Sequence, residues 1–151
     1  MQSKIEMIPT TEAHMRILAQ TMREEDRREV ELFGWTPAQA TQESLSGAIY
    51  GTTALVNGKI AACWGLGATD DPKVGKPYLL TNYESLNVSP IRFAKIYKRE
   101  VAKMLKMFPI LENYCDSCHH SALRLLRICG FTVGKPESFG QGLFCKFVKV
   151  R

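Results

Sequence analysis

Apolar and polar positions change period several times along the chain, and each change marks an element. "KIEMIP" alternates through Ile5, Met7 and Pro9, the pattern of a short strand. Beyond it Ala13, Ile17, Leu18 and Thr21 or Met22 recur near helical period, with Thr10 or Thr11 placed to cap the first turn. "REEDRREVELFGW" continues this helix or breaks into a second before Gly34, and its mixed charges predict a solvated face. "TPAQATQESLSG" predicts a short helix with Thr36 as cap, Pro37 in the first position and Gly47 as stop.

The period then shortens. "AIYGTTALV" and "KIAACWGLGA" are rich in strand-favouring residues and are joined by Asn57-Gly58, both tolerant of the positive φ a tight hairpin needs. "TDDPKVGKP" predicts a loop and "YLLTNYESL" a third core strand. Ser89-Pro90 opens a long helix that Pro109 stops. Phe93, Ile96, Tyr97, Val101, Met104 and Phe108 form its apolar stripe; Arg92, Lys95, Arg99, Lys103 and Lys106 form a basic one. "ILENYCDS" predicts a strand, and "HHSALRLLRIC" a helix ended by Gly130. "FTVGKPES" and "LFCKFVKV" predict two closing strands.

The 151 residues suffice for one domain with its own core. No apolar run approaches the roughly 18 residues of a membrane helix, and no signal-peptide stretch precedes "KIEMIP", so a cytoplasmic protein without a membrane partner is expected. The net charge of +5 biases the chain toward anionic partners and decides nothing further. The five cysteines, an odd and scattered set, are expected to be thiols.

"CDSCHH" places Cys115, Cys118 and His119 at C-x-x-C-H spacing. Haem attachment at that spacing belongs to exported proteins. A zinc site needs a fourth ligand and a second paired set, which the chain lacks. The competing reading is an ordinary strand-to-helix turn: Ala122, Leu125, Leu126 and Cys129 share one helical face, with Asp116 or Ser117 as the cap. Neither haem nor metal is therefore expected.

A strand, a helix ending in "LRLLRICGF", and two strands closed by "GQGLFCKFVKV" resemble the carboxy-terminal half of the GNAT acetyltransferase superfamily. The hairpin, third strand and long helix upstream extend the likeness over nearly the whole chain. The segment from "FAKIYKREV" to "GLFCKF" also resembles a branch of podophage internal virion or GNAT-like proteins. The resemblance implies an α/β (α+β) single domain over 1–151, with a mixed, mostly antiparallel sheet of about six to seven strands and about four helices.

It implies acetyl-CoA or another acyl-CoA as ligand, held at the start of the long helix by Leu86, Asn87, Val88, Ser89, Arg92 and Lys95. The superfamily's Gln/Arg-x-x-Gly-x-Gly/Ala loop is replaced by "NYESLNVSPIRF", with no glycine between Lys76 and Cys129. Its usual tyrosine acid, four residues before the Gly-Phe glycine, is Leu126 here. Tyr114 or Cys118 is the substitute acid and Glu84, beside Tyr83, the candidate base. Two functions follow from the resemblance: an acyl-CoA-dependent N-acyltransferase, or a catalytically silent module acting in phage virion assembly or on a host protein. It would work in the host cytoplasm or be packaged in the virion; nucleic acid is the weaker partner.

Overall fold

The computed structural model describes residues 2–151. One sheet runs β1-β2-β3-β4-β5-β7-β6, antiparallel at every junction except the parallel pair β4 and β5. The strands are β1 (Ile5–Pro9), β2 (Ala48–Val56), β3 (Lys59–Ala68), β4 (Val74–Thr81), β5 (Ile110–Asp116), β6 (Thr132–Phe139) and β7 (Gly142–Val150). The helices are α1 (Glu12–Thr21), α2 (Glu24–Leu32), α3 (Pro37–Ser46), α4 (Pro90–Met107) and α5 (His120–Ile128).

The helix count exceeds the expected four because α1 and α2 are separate. Met22 and Arg23 between them are extended, and the Arg23 N–H donates to the Thr81 carbonyl at 3.0 Å, so the chain leaves the helix to contact the end of β4.

Helices α1 to α3 cover one sheet face, burying Met15, Leu18, Val30 and Ala40 around Cys63 and Leu80. Helices α4 and α5 cover the other, where Tyr97, Val101, Met104 and Leu126 pack on Trp64, Leu66 and Phe147. Strand β3 is buried on both faces from Ala61 to Leu66, which explains its unbroken apolar run. At the β2–β3 turn Asn57 and Gly58 both take positive φ, 51° and 81°.

Three local expectations are corrected. "YLLTNYESL" is a strand only to Thr81; Asn82 Oδ1 then accepts the Glu84 N–H at 3.0 Å, and the chain turns into a 3-10 helix, Tyr83–Asn87. The strand begins earlier, at Val74, inside the expected loop. The cap of α5 is His119, whose Nδ1 accepts the Ala122 N–H at 3.4 Å, because Asp116 is engaged elsewhere.

Candidate active site

Strands β4 and β5 pair only where they begin, Val74 with Ile110 and Gly75 with Leu111. They then separate. Backbone groups alternate in direction along a strand, so those of Pro77, Leu79 and Thr81 face the opening while the residues between them face β3. The Pro77 carbonyl accepts from Asn113 Nδ2 at 2.8 Å, and Asn113 Oδ1 accepts the Tyr114 N–H at 2.8 Å. One amide side chain thus spans the widening gap. The Thr81 N–H donates to Asp26 Oδ2 at 2.9 Å. Leu79, between these two, has no protein partner for its N–H or C=O among the described hydrogen bonds. A free donor and acceptor in a cleft are a site for an amide or a polarised carbonyl.

Helix α2 fills the far end of the gap with two carboxylates one turn apart. Asp26 takes the β4 side, accepting the Thr81 N–H and its hydroxyl, the latter at 2.6 Å. Glu29 takes the β5 side, accepting the Asp116 N–H at 3.0 Å beside the Cys115 thiol. The charged run predicted to be a solvated face is therefore split: Asp26 is 7% exposed, and Glu29 faces the cleft. Asp26 and Glu29 share a helical face with Val30 and Phe33, a periodicity in the sequence that could have revealed them.

His119 Nε2 lies 2.7 Å from Asp26 Oδ1. Its Nδ1 receives a backbone N–H, which can only donate, so Nε2 carries the proton and donates to Asp26. Burial raises the Glu29 carboxyl to about 7, helped by the Asp26 charge and opposed by His119 and the Asp116 N–H. Glu29 is thus a carboxyl poised to exchange a proton near neutral pH.

Around this centre lies a cleft of about 710 Å³ that passes through the gap. Its α4–α5 side is lined by Leu86, Val88, Pro90, Phe93 and Ala122. Its other side is lined by Glu29, Phe33, Trp35, Glu43 and Phe139.

Leu86, Val88 and Tyr114 of the expected residues line the cleft, and Tyr114 stacks on Phe139 with centroids 4.3 Å apart. The rest stand outside its lining. Ser89 Oγ caps α4 by accepting the Arg92 N–H at 3.2 Å, and the Arg92 guanidinium donates to the Ser3 carbonyl. Lys95 is exposed on α4. Asn87 donates to Glu84 Oε2 at 3.1 Å, and Glu84 lies 4.0 Å from Lys59 Nζ. At the start of α4, Pro90 has no N–H and those of Arg92 and Phe93 are taken by Ser89, so Ile91 offers the remaining first-turn amide.

The C-x-x-C-H side chains diverge. Cys115 is buried, with burial and Glu29 raising its thiol far above the usual range. Cys118 is exposed, and the His119 ring is committed to Asp26. Among the described residues no group of three or more His, Cys, Asp or Glu side chains is arranged to hold a metal ion.

The fold is that of the GNAT acetyltransferases. Aminoglycoside acetyltransferase AAC(6′)-Ib in complex with coenzyme A is similar over 98% of this chain and 95% of its own, with a TM-score of 0.70 and 16% identity. RimL, a ribosomal L7/L12 alpha-N-protein acetyltransferase in complex with coenzyme A, is similar over 97% and 93%, with a TM-score of 0.66 and 12% identity. A GNAT-family acetyltransferase from Streptococcus pneumoniae is similar over 97% and 99%, with a TM-score of 0.63 and 12% identity. No protein-family model matches the sequence, and no curated protein matches it.

Proposed function

We propose that the protein is an acyl-CoA-dependent N-acyltransferase, with acetyl-CoA as the first donor to test. The observation that carries this reading is the unpaired Leu79 backbone in the gap between β4 and β5, across from Glu29. An acyl-CoA entering between α4 and α5 would set its amide chain along β4, with the Leu79 N–H available to the thioester oxygen as negative charge develops.

An ammonium on the other side gives one proton to Glu29. The free amine then attacks the carbonyl carbon, and the nitrogen's second proton is lost as the C–S bond breaks. The departing thiolate is protonated from water or by Tyr114, which lines the cleft. Ammonium and thioester become amide, thiol and one proton. His119 is a positioning residue, because its hydrogen bond fixes Asp26 and hence the end of β4.

Thiol release from acetyl-CoA with a panel of primary amines tests the reading. Amine-dependent release that is lost in Leu79→Pro, which deletes the N–H, supports it. Acetyl-CoA binding with no release for any amine class overturns it.

One observation favours the other reading, a catalytically silent module acting in phage virion assembly or on a host protein. The mouth at α4 presents Tyr83, Leu86 and Ile91, which are 56%, 60% and 72% exposed, with few free amides for a pyrophosphate. Absence of acetyl-CoA binding would favour this reading.

A further inference from the structure

The cleft has an aromatic wall on the side away from α4 and α5. Trp35 and Phe33 stack at 6.3 Å, Phe33 meets Phe139 edge-on at 5.3 Å, and Phe139 lies parallel to Tyr114 within 8°. All four rings line the cleft. The wall is fixed from behind: Phe33 and Phe139 both pack on Phe144, which has no exposure. The β6–β7 turn is pinned to α2 as well, since the Gln141 N–H donates to the Leu32 carbonyl at 2.7 Å. A Cβ on Gly140, at φ 59°, would come within 2.6 Å of that carbonyl. Trp35 and Phe139 nonetheless remain 40% and 37% exposed, a rigid apolar surface left uncovered.

Two carboxylates stand on this side of the cleft. Glu29 lies one helical turn before Phe33 on the same face of α2, and Glu43 of α3 also lines the cleft. Arg23, a cation in the same lining, is paired with Glu25 at 3.1 Å. The other cations in the lining are Lys76 on β4 and Arg124 on α5; neither has a salt-bridge partner among the described residues, and Lys76 shares the α1–α3 face of β4 with Tyr78 and Leu80 while Arg124 belongs to α5.

We propose that the acceptor is a primary ammonium joined by a short linker to an aromatic or other flat apolar group. The ring lies on the Trp35–Phe139 surface and the ammonium reaches Glu29, one turn away. Flat rings gain from stacking on such a wall, and a cation gains from both the carboxylate and the ring faces. This inference rests on the acyl-transfer reading, which supplies the donor on the opposite side.

The two tryptophans make a test independent of turnover. Trp64 has no exposure, so a change in emission on adding an amine reports Trp35. The full chain is titrated with 2-phenylethylamine, its uncharged alcohol analogue and butylamine, in parallel with acetyl-CoA binding and thiol release. Saturable quenching by phenylethylamine, at least about tenfold tighter than by either analogue, is expected. In Phe139→Ala, with the acetyl-CoA-induced melting shift as the check on folding, that preference falls toward one.

Equal affinity for the three compounds, or a preference unchanged in Phe139→Ala, overturns the proposal. The two readings fail separately. Phenylethylamine binding without thiol release discards acyl transfer and keeps the cation-and-ring site. Release with aliphatic amines and no preference for the aryl amine keeps acyl transfer and discards the acceptor class.

Discussion

Glu29 carries opposite demands from stability and chemistry. Its carboxyl is raised from 4.5 to about 7 by burial and by Asp26, so the folded state holds its proton more tightly than the unfolded chain does. The associated stability is present below the unfolded pKa and is lost as pH rises from about 4.5 to about 7. Glu29→Gln removes the cost of the ionised form while its amide oxygen still accepts the Asp116 N–H. At pH 8 the variant is expected to match or exceed the parent by roughly 1–3 kcal/mol in denaturant melts, and to show no gain at pH 5. Acyl transfer is expected to fall by about 10² to 10⁴, with loss of the ascending limb near pH 7. A variant that keeps full activity would remove Glu29 from the proton path. Composition hid this in the sequence, because a solvated charge run and one with two inward carboxylates have nearly the same composition, and only the shared face of Asp26 and Glu29 with Val30 and Phe33 hinted at it. The distinguishing fact is a partner far along the chain: the Asp116 and Thr81 N–H groups, which donate to Glu29 and Asp26.

The long helix was the most legible element, since Ser89-Pro90 and Pro109 bound it and its apolar stripe faces the core as its spacing predicts. Its basic stripe was legible as charge and not as geometry. Arg92 has the spacing of a phosphate ligand, yet its guanidinium ties α4 to the amino-terminal segment through Ser3. Only long-range packing decides between those roles. The same helix gives a prediction about the donor. Pro90→Ala restores one N–H at the first position of α4, where a helix start attracts anions. Calorimetric titration is expected to show acetyl-CoA binding about three- to tenfold tighter, within the range of one ordinary hydrogen bond. An unchanged Kd would mean that the phosphates do not meet the start of α4.

At the scale of the whole molecule, the succession of strands and helices along the chain followed from the alternation of periods, and the fold class from the likeness of "LRLLRICGF" and the strands around it to the acetyltransferases. The departures fall where side chains replace backbone regularity: Asn82 ending β4, His119 capping α5 and Asn113 bridging the splay. Each depends on a hydrogen bond that periodicity cannot register. The opening beyond Val74 and Gly75 then gives the cleft its position, and the free Leu79 backbone gives it a purpose. The most direct test is an amide NMR titration of ¹⁵N-leucine-labelled protein with acetyl-CoA. Binding along β4 predicts a saturable shift of the Leu79 resonance, larger than that of Leu143 on β7. A Leu79 resonance unmoved at saturating acetyl-CoA would contradict the placement of the donor in the gap, and with it the acyl-transfer reading.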